Sequence, residues 1–313
     1  MELKNNYPIC NPSSLRITTH SAKSKINSKI NLEVFAKNLE LDSNIIYFKF
    51  KNGIIEYTKG VNPKKNIKKK SNGKFYNQIT IVVQPEPGFY NNIKLFRNGS
   101  ISMTGIKKQE NGYKSISIIL SKMKNIEGSL IDNTNNDCKI LDYDITLINS
   151  DYEVSFEIKR DVLQEILVKN YKIYSSYEPC IYPGVNSKFY WNKDYENNEF
   201  YGKCYCSKPC TGKGDGNGNG RCKKVTIAIF QSGSIIITGA RKLEQISAAY
   251  NFINNILEKY STKLTQVKAS FLETTDKYIN KKEKNKNNIY LKISSIRNMP
   301  SKEKLEELKR LVF

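Results

Sequence analysis

Cys204, Cys206, Cys210 and Cys222 place four soft sulfur donors in one short glycine-rich segment. In a reducing compartment such a set suits a tetrahedral structural zinc ion, which would fold a stretch too polar to pack alone. The spacing is not the usual pair of Cys-x-x-Cys knuckles, so a disordered loop with reduced thiols is the competing reading. Cys10, Cys138 and Cys180 are isolated, and seven cysteines is an odd count, which argues against a secreted disulfide framework. Acid–base or nucleophilic catalysis finds little to work with. His20 is the single histidine, with no evident nucleophile partner, and no carboxylate pair stands out. The expectation is a protein that is not an enzyme and needs no cofactor beyond the zinc.

Charge supplies the other chemistry. Lys and Arg number 51 against 30 Asp and Glu, a formal net charge of +21, which points to a polyanionic partner, nucleic acid first. There is no run of about 18 apolar residues to cross a membrane and no apolar signal core near Met1. The chain is therefore expected to be intracellular and not secreted.

The elements that must position these groups are written twice. Leu95-Phe96-Arg97-Asn98-Gly99-Ser100-Ile101-Ser102-Met103-Thr104-Gly105 and Ile229-Phe230-Gln231-Ser232-Gly233-Ser234-Ile235-Ile236-Ile237-Thr238-Gly239 each read strand, tight turn, strand. Tyr113, Ile116, Ile119, Leu120 and Met123 follow the first as one helical face, and Ile246, Ala249, Tyr250, Ile253 and Leu257 follow the second. Upstream, a strand over 14–19 precedes a helix with Leu32, Phe35, Ala36 and Leu39. Likewise a strand over 143–149 precedes one with Val162, Leu163, Ile166 and Leu167. The predicted fold is α+β: a pseudo-twofold pair of strand–helix–strands–helix units, one curved antiparallel sheet with helices on one face and the other face open.

Ser175-Ser176-Tyr177-Glu178-Pro179-Cys180-Ile181-Tyr182-Pro183-Gly184, followed by the second hairpin and Ala240-Arg241, resembles the second repeat of the TATA-box-binding protein family. The resemblance covers about residues 14 to 260 in duplicate. It implies an N-terminal tail over 1–13, a first repeat over 14–130 with a basic insertion near 59–74, and a second repeat over 140–262 with a Cys- and Gly-rich insertion near 193–224. A C-terminal extension over 263–313, a linker and a short amphipathic helix, lies beyond it.

The family's fold is a saddle with helices on its convex face. Its members are general transcription initiation factors whose concave sheet enters the minor groove of A·T-rich promoter DNA and bends it. By that resemblance Phe75, Phe96, Tyr182 and Phe230 are the wedges between base steps. Ser102, Thr104, Ile236, Thr238 and Asp144 face the groove floor, and Lys107, Lys188 and Arg241 hold phosphates. Glu178 and Ile181 face a transcription factor IIB-like partner and, through it, RNA polymerase machinery, with the protein a monomer on DNA. Three of these residues depart from the family pattern: Tyr182 adds a hydroxyl to a wedge, Ser102 replaces an apolar contact, and Asp144 sets a carboxylate where an asparagine amide would donate. These departures leave a second reading, a protein-interaction scaffold with weak or no specific DNA binding. A base-excision glycosylase on a related sheet would need a helix-hairpin-helix with a catalytic Lys or Asp, which the sequence lacks.

Overall fold

Alternating apolar residues and helical stripes translate here into one long sheet carrying two helical layers. A computed structural model describes residues 10–63, 77–132, 137–195 and 201–266. The first half contains β1 (Arg16–Ile26), α1 (Leu32–Asn38), β2 (Ile45–Asn52), β3 (Ile55–Gly60), β4 (Gln78–Glu86), β5 (Phe89–Phe96), β6 (Ser100–Ile106) and α2 (Gln109–Lys124). The second contains β7 (Ile140–Glu153), α3 (Arg160–Lys169), β8 (Ser175–Glu178), β9 (Tyr182–Trp191), β10 (Lys223–Ile229), β11 (Ser234–Ala240), α4 (Leu243–Lys259) and α5 (Ser261–Leu264). The strands form a single antiparallel sheet in the order β3-β2-β4-β5-β6-β1-β7-β11-β10-β9-β8. The basic run at 64–70, Phe75 and most of the C-terminal extension lie outside the described residues.

Period-two alternation decides which face is covered. Along β9, Val185, Ser187, Phe189 and Trp191 are buried, while Asn186, Lys188 and Tyr190 are only half-buried on the other side. Leu163, Ile166 and Leu167 of α3 and Ile246, Ala249, Ile253 and Leu257 of α4 close over the first set. A matching cluster in the first half joins Phe35, Phe48, Phe50, Ile93, Met103, Ile116 and Ile119, and Ile145 packs against both. Burying side chains of this size stabilises by roughly 1.5–3 kcal/mol each.

Several expected boundaries shift. β1 runs ten residues beyond Arg16 rather than ending at Thr19, because Ala22, Ser24 and Ile26 alternate inward between exposed lysines. β7 likewise extends from Ile140 to Glu153. Tyr113 is not on the buried face of α2; it is exposed and meets Tyr143 edge-on at 6.1 Å. β3 is an added edge strand with no counterpart among the described residues of the second half.

The two halves are related about the β1–β7 seam. Ser21 lies opposite Thr104 as Asn149 lies opposite Thr238, an offset of 128 (149 − 21). By the same offset His20 corresponds to Ile148, and these two residues pair with each other, so the pseudo-dyad passes between them. Bulges fall at corresponding positions, Thr18 and Thr146, and both hydroxyls donate across the seam: Thr18 to the Asn149 carbonyl at 2.9 Å, Thr146 to the Ser21 carbonyl at 3.1 Å. The hairpin glycines also correspond, 134 residues apart (233 − 99). Gly99 and Gly233 have φ of +80° and +86°, and a Cβ on either would strike a backbone carbonyl, of Ser28 or Val154, at 2.4 or 2.6 Å.

Candidate functional site

The helix-free face offers aromatic rings at its turns and hydroxyl and amide groups at its centre. Phe230 closes β10 at a tight turn in which Gly233 donates to the Phe230 carbonyl at 3.1 Å, and Tyr182 opens β9 beside it. Their ring centroids are 5.8 Å apart with planes at 60°, over Gly184, where a Cβ would approach both rings at 3.1 Å. Arg160 joins the two turns from α3. Its guanidinium donates to the Pro183 carbonyl and, at 2.8 Å, to Gln231 Oε1, and stacks 4.9 Å from Tyr177. Phe96 occupies the matching turn of the first half, half-buried at the end of β5.

At the centre Asn149 bridges the halves: its Oδ1 accepts from Thr238 Oγ1, and its Nδ2 donates to Thr19 Oγ1 at 3.1 Å. One of the two amide hydrogens is used there. Thr104 and Ser102 are exposed, whereas Thr238 and Ile236 are half-buried, so the first half is the more polar and open. Asp144 sits on this face but turns to Lys23, with 3.7 Å between Nζ and Oδ2. By pairing, Asn149 rather than Asp144 is the polar side chain of β7 that meets Thr238. That pairing, with a one-residue bulge at Thr146 between the two positions, was not readable from the sequence.

Cations ring the face. Lys107 Nζ donates to the Thr18 carbonyl at 2.8 Å, Arg241 is exposed just past β11, and Lys188 Nζ donates to Thr226 Oγ1 at 3.0 Å. Burial, reinforced by the Lys224 charge, holds the Lys188 ammonium below the usual lysine range. Glu178 and Ile181 are exposed at the β8–β9 tip, on the far edge of the sheet.

The cysteine segment is folded, not loose. Lys224 donates to the Gly212 carbonyl at 2.8 Å, Lys193 to Gly216 at 2.9 Å, and the Asn192 amide to Gly218 at 2.9 Å. Gly216 lies flat on the Trp191 indole, where a Cβ would come within 2.1 Å. Gln245, buried at the start of α4, donates to the Asp215 carbonyl at 3.3 Å and accepts from the Arg241 amide at 2.9 Å. The four Sγ atoms of Cys204, Cys206, Cys210 and Cys222 all lie within 4.8 Å of one another. Cys222 is 3.3 Å from Cys206 and 3.8 Å from Cys204. That is far beyond the ~2.05 Å of a disulfide, and near the ~3.8 Å edge of a tetrahedron built on Zn–S bonds of about 2.3 Å. Burial pushes the Cys222 thiol up, so a cation at the centre would have to displace its proton. The four thiols could hold a zinc ion.

A family model described as "Transcription factor TFIID (or TATA-binding protein, TBP)" matches residues 148–260, the second half alone. A relative from Acanthamoeba polyphaga mimivirus, "TATA-box-binding protein-like", is 33% identical over 274 residues, covering 81% of this chain and 68% of the relative. The chain belongs to the TATA-binding protein family. Its members are non-enzymatic DNA-binding factors. Among solved structures, Methanococcus jannaschii TBP matches with a TM-score of 0.45 and 19% identity, covering 79% of this chain and 99% of that one.

Two contributors escaped the sequence reading. Asn149 had a detectable signal, its pairing with Thr238, but only once the bulges are known. Arg160 had none, because its contacts join turns about 23 and 71 residues away. Among the described residues no helix is long and apolar enough to cross a membrane.

Proposed function

We propose that this chain binds A·T-rich promoter DNA in the minor groove through its helix-free sheet face, bends it, and acts as a transcription initiation factor. The observation that carries the reading is the Tyr182–Phe230 ring pair set at a turn of that face, in a chain of this family. Tyr182, Phe230 and Phe96 act as wedges that enter base steps, with a fourth from the segment outside the described residues. The minor groove offers mostly acceptors, so the remaining Asn149 amide hydrogen donates to them, while Thr104, Thr238, Ser102 and Ile236 provide close contact. Lys107, Lys188 and Arg241 neutralise phosphates. With Asp144 paired to Lys23, its charge is partly offset and does not block the groove. Glu178 and Ile181 offer a partner-facing tip to a transcription factor IIB-like protein that brings polymerase machinery. Zinc in the cysteine cluster serves structure.

End-to-end energy transfer on a doubly labelled duplex tests this reading. Bending of a TATA duplex, absent on a G·C-rich one and lost in Phe230→Ala, is the expected result. Equal binding of both duplexes without bending would overturn it in favour of an interaction scaffold.

A further inference from the structure

The helix-free face continues past β8 onto the cysteine segment. Beyond the start of β8 the edge of β9 is covered by Gly202, whose carbonyl accepts from the Tyr190 amide at 2.8 Å. Between this edge and the turn leaving α3 is a cavity of about 310 Å³ whose polar lining is Lys172, Tyr174, Lys188, Tyr190, Lys203 and Tyr205. No carboxylate lines it. Three lysines and no carboxylate around one space give it a positive character that suits an anion. Lys172 is placed by the end of α3. Its φ of 54° belongs to the left-handed turn that ends α3, where the Ile173 amide donates back to the Leu167 carbonyl at 2.9 Å, and this turn fixes where the Lys172 side chain leaves the backbone. Lys203 and Tyr205 flank Cys204, and Lys203 Nζ stands 5.4 Å from the Tyr205 ring.

We propose that this cavity takes phosphodiester groups of the duplex bound on the sheet, so that the cysteine segment lengthens the DNA contact. The inference rests on the reading given under Proposed function. Continuity favours a phosphodiester over other anions: Lys188 and Tyr190 belong to the sheet face itself, and Lys188 touches Thr226 one strand inward. A backbone lying across β10 and β9 runs directly into the cavity. Ammonium groups supply charge and phenol hydroxyls donate to the non-bridging oxygens. Because the cysteine cluster positions Lys203 and Tyr205, the contact depends on the integrity of that cluster.

The test uses the full chain and a TATA duplex, with affinity measured by anisotropy over a series of salt concentrations and bending measured in parallel. Each phosphate contact contributes about 0.9 to the slope of log K against log salt. The double variant K172A/K203A is expected to lower the slope by about 1.8 and to keep wild-type bending; K172R/K203R restores the slope. An unchanged urea midpoint and Trp191 emission certify that the variant is folded. An unchanged slope in a folded K172A/K203A variant, with the wild type bending normally, overturns the inference and spares the functional reading. A wild type that neither binds selectively nor bends takes down both.

Discussion

The rings of Tyr182 and Phe230 lie 5.8 Å apart over Gly184, which has no Cβ to lift them. The floor beneath the pair is therefore backbone, and the rings are held at a fixed height by Arg160, which donates into both turns. Gly184→Val should push the rings outward and apart. The expected result is a smaller energy-transfer change on the TATA duplex with an unaltered salt slope, since no phosphate contact is touched.

Tyr182→Phe tests the hydroxyl. A phenol entering a base step must keep its O–H hydrated or find an acceptor, and either requirement opposes deep insertion. Removing it should increase the bend and slow dissociation, read as a larger transfer change and a longer-lived complex.

Counting back from the paired strands gives a position to compare with Tyr182 in the first half. Val185 pairs with Ile229 as Ile79 pairs with Leu95, an offset of 106 (185 − 79), which by counting assigns position 76 to Tyr182. Phe75, which the family resemblance suggests, is one residue away. Tyr76→Ala should therefore reduce bending more than Phe75→Ala. The reverse order would show that the count fails across the insertion.

Asn149→Ala removes the amide that joins Thr19 and Thr238. The loss of a groove donor is expected to weaken the TATA duplex by about 1 kcal/mol, some fivefold. Binding to a G·C-rich duplex at low salt, which is driven by counterion release, should hardly change. Parallel titrations of the two duplexes decide the matter.

Metal removal has a built-in reporter, because Trp191 is the single tryptophan and Gly216 of the cysteine segment covers its indole. A strong zinc chelator should release one metal per chain and shift the Trp191 emission to longer wavelength; Cys206→Ser should do the same without chelator. Since metal must displace protons from thiols, and burial makes the Cys222 proton hard to remove, apparent affinity should fall as pH is lowered.

The duplicated hairpins were legible because turn chemistry and alternation coincide at both, Gly99 and Gly233 having the same steric reason to exist. The centre was not. Asp144 came from the family resemblance, whereas the β7 side chain that meets Thr238 is set by cross-strand pairing with bulges at Thr18 and Thr146. β1 was under-read because Lys23 and Lys25 dilute the apolar signal of Ala22 and Ile26. The cysteines were recognisable by type, but what brings Cys222 back to Cys204 is the pairing of β9 with β10, which no local spacing encodes. Lys172, Lys188 and Lys203 come from three separate segments and gave no joint signal.

The seam ion pairs have a further consequence. Arg16 meets Asp151 at 2.8 Å and Lys23 meets Asp144 at 3.7 Å, and the offset of 128 that relates the halves (149 − 21) makes Arg16 the counterpart of Asp144 and Lys23 that of Asp151. True twofold symmetry would place one cation on each strand; here both cations are on β1 and both carboxylates on β7. The frame is nearly palindromic while its charge is a vector. A polyanion laid across the seam and rotated by half a turn would meet the opposite arrangement of charge, so its two orientations differ in electrostatic energy.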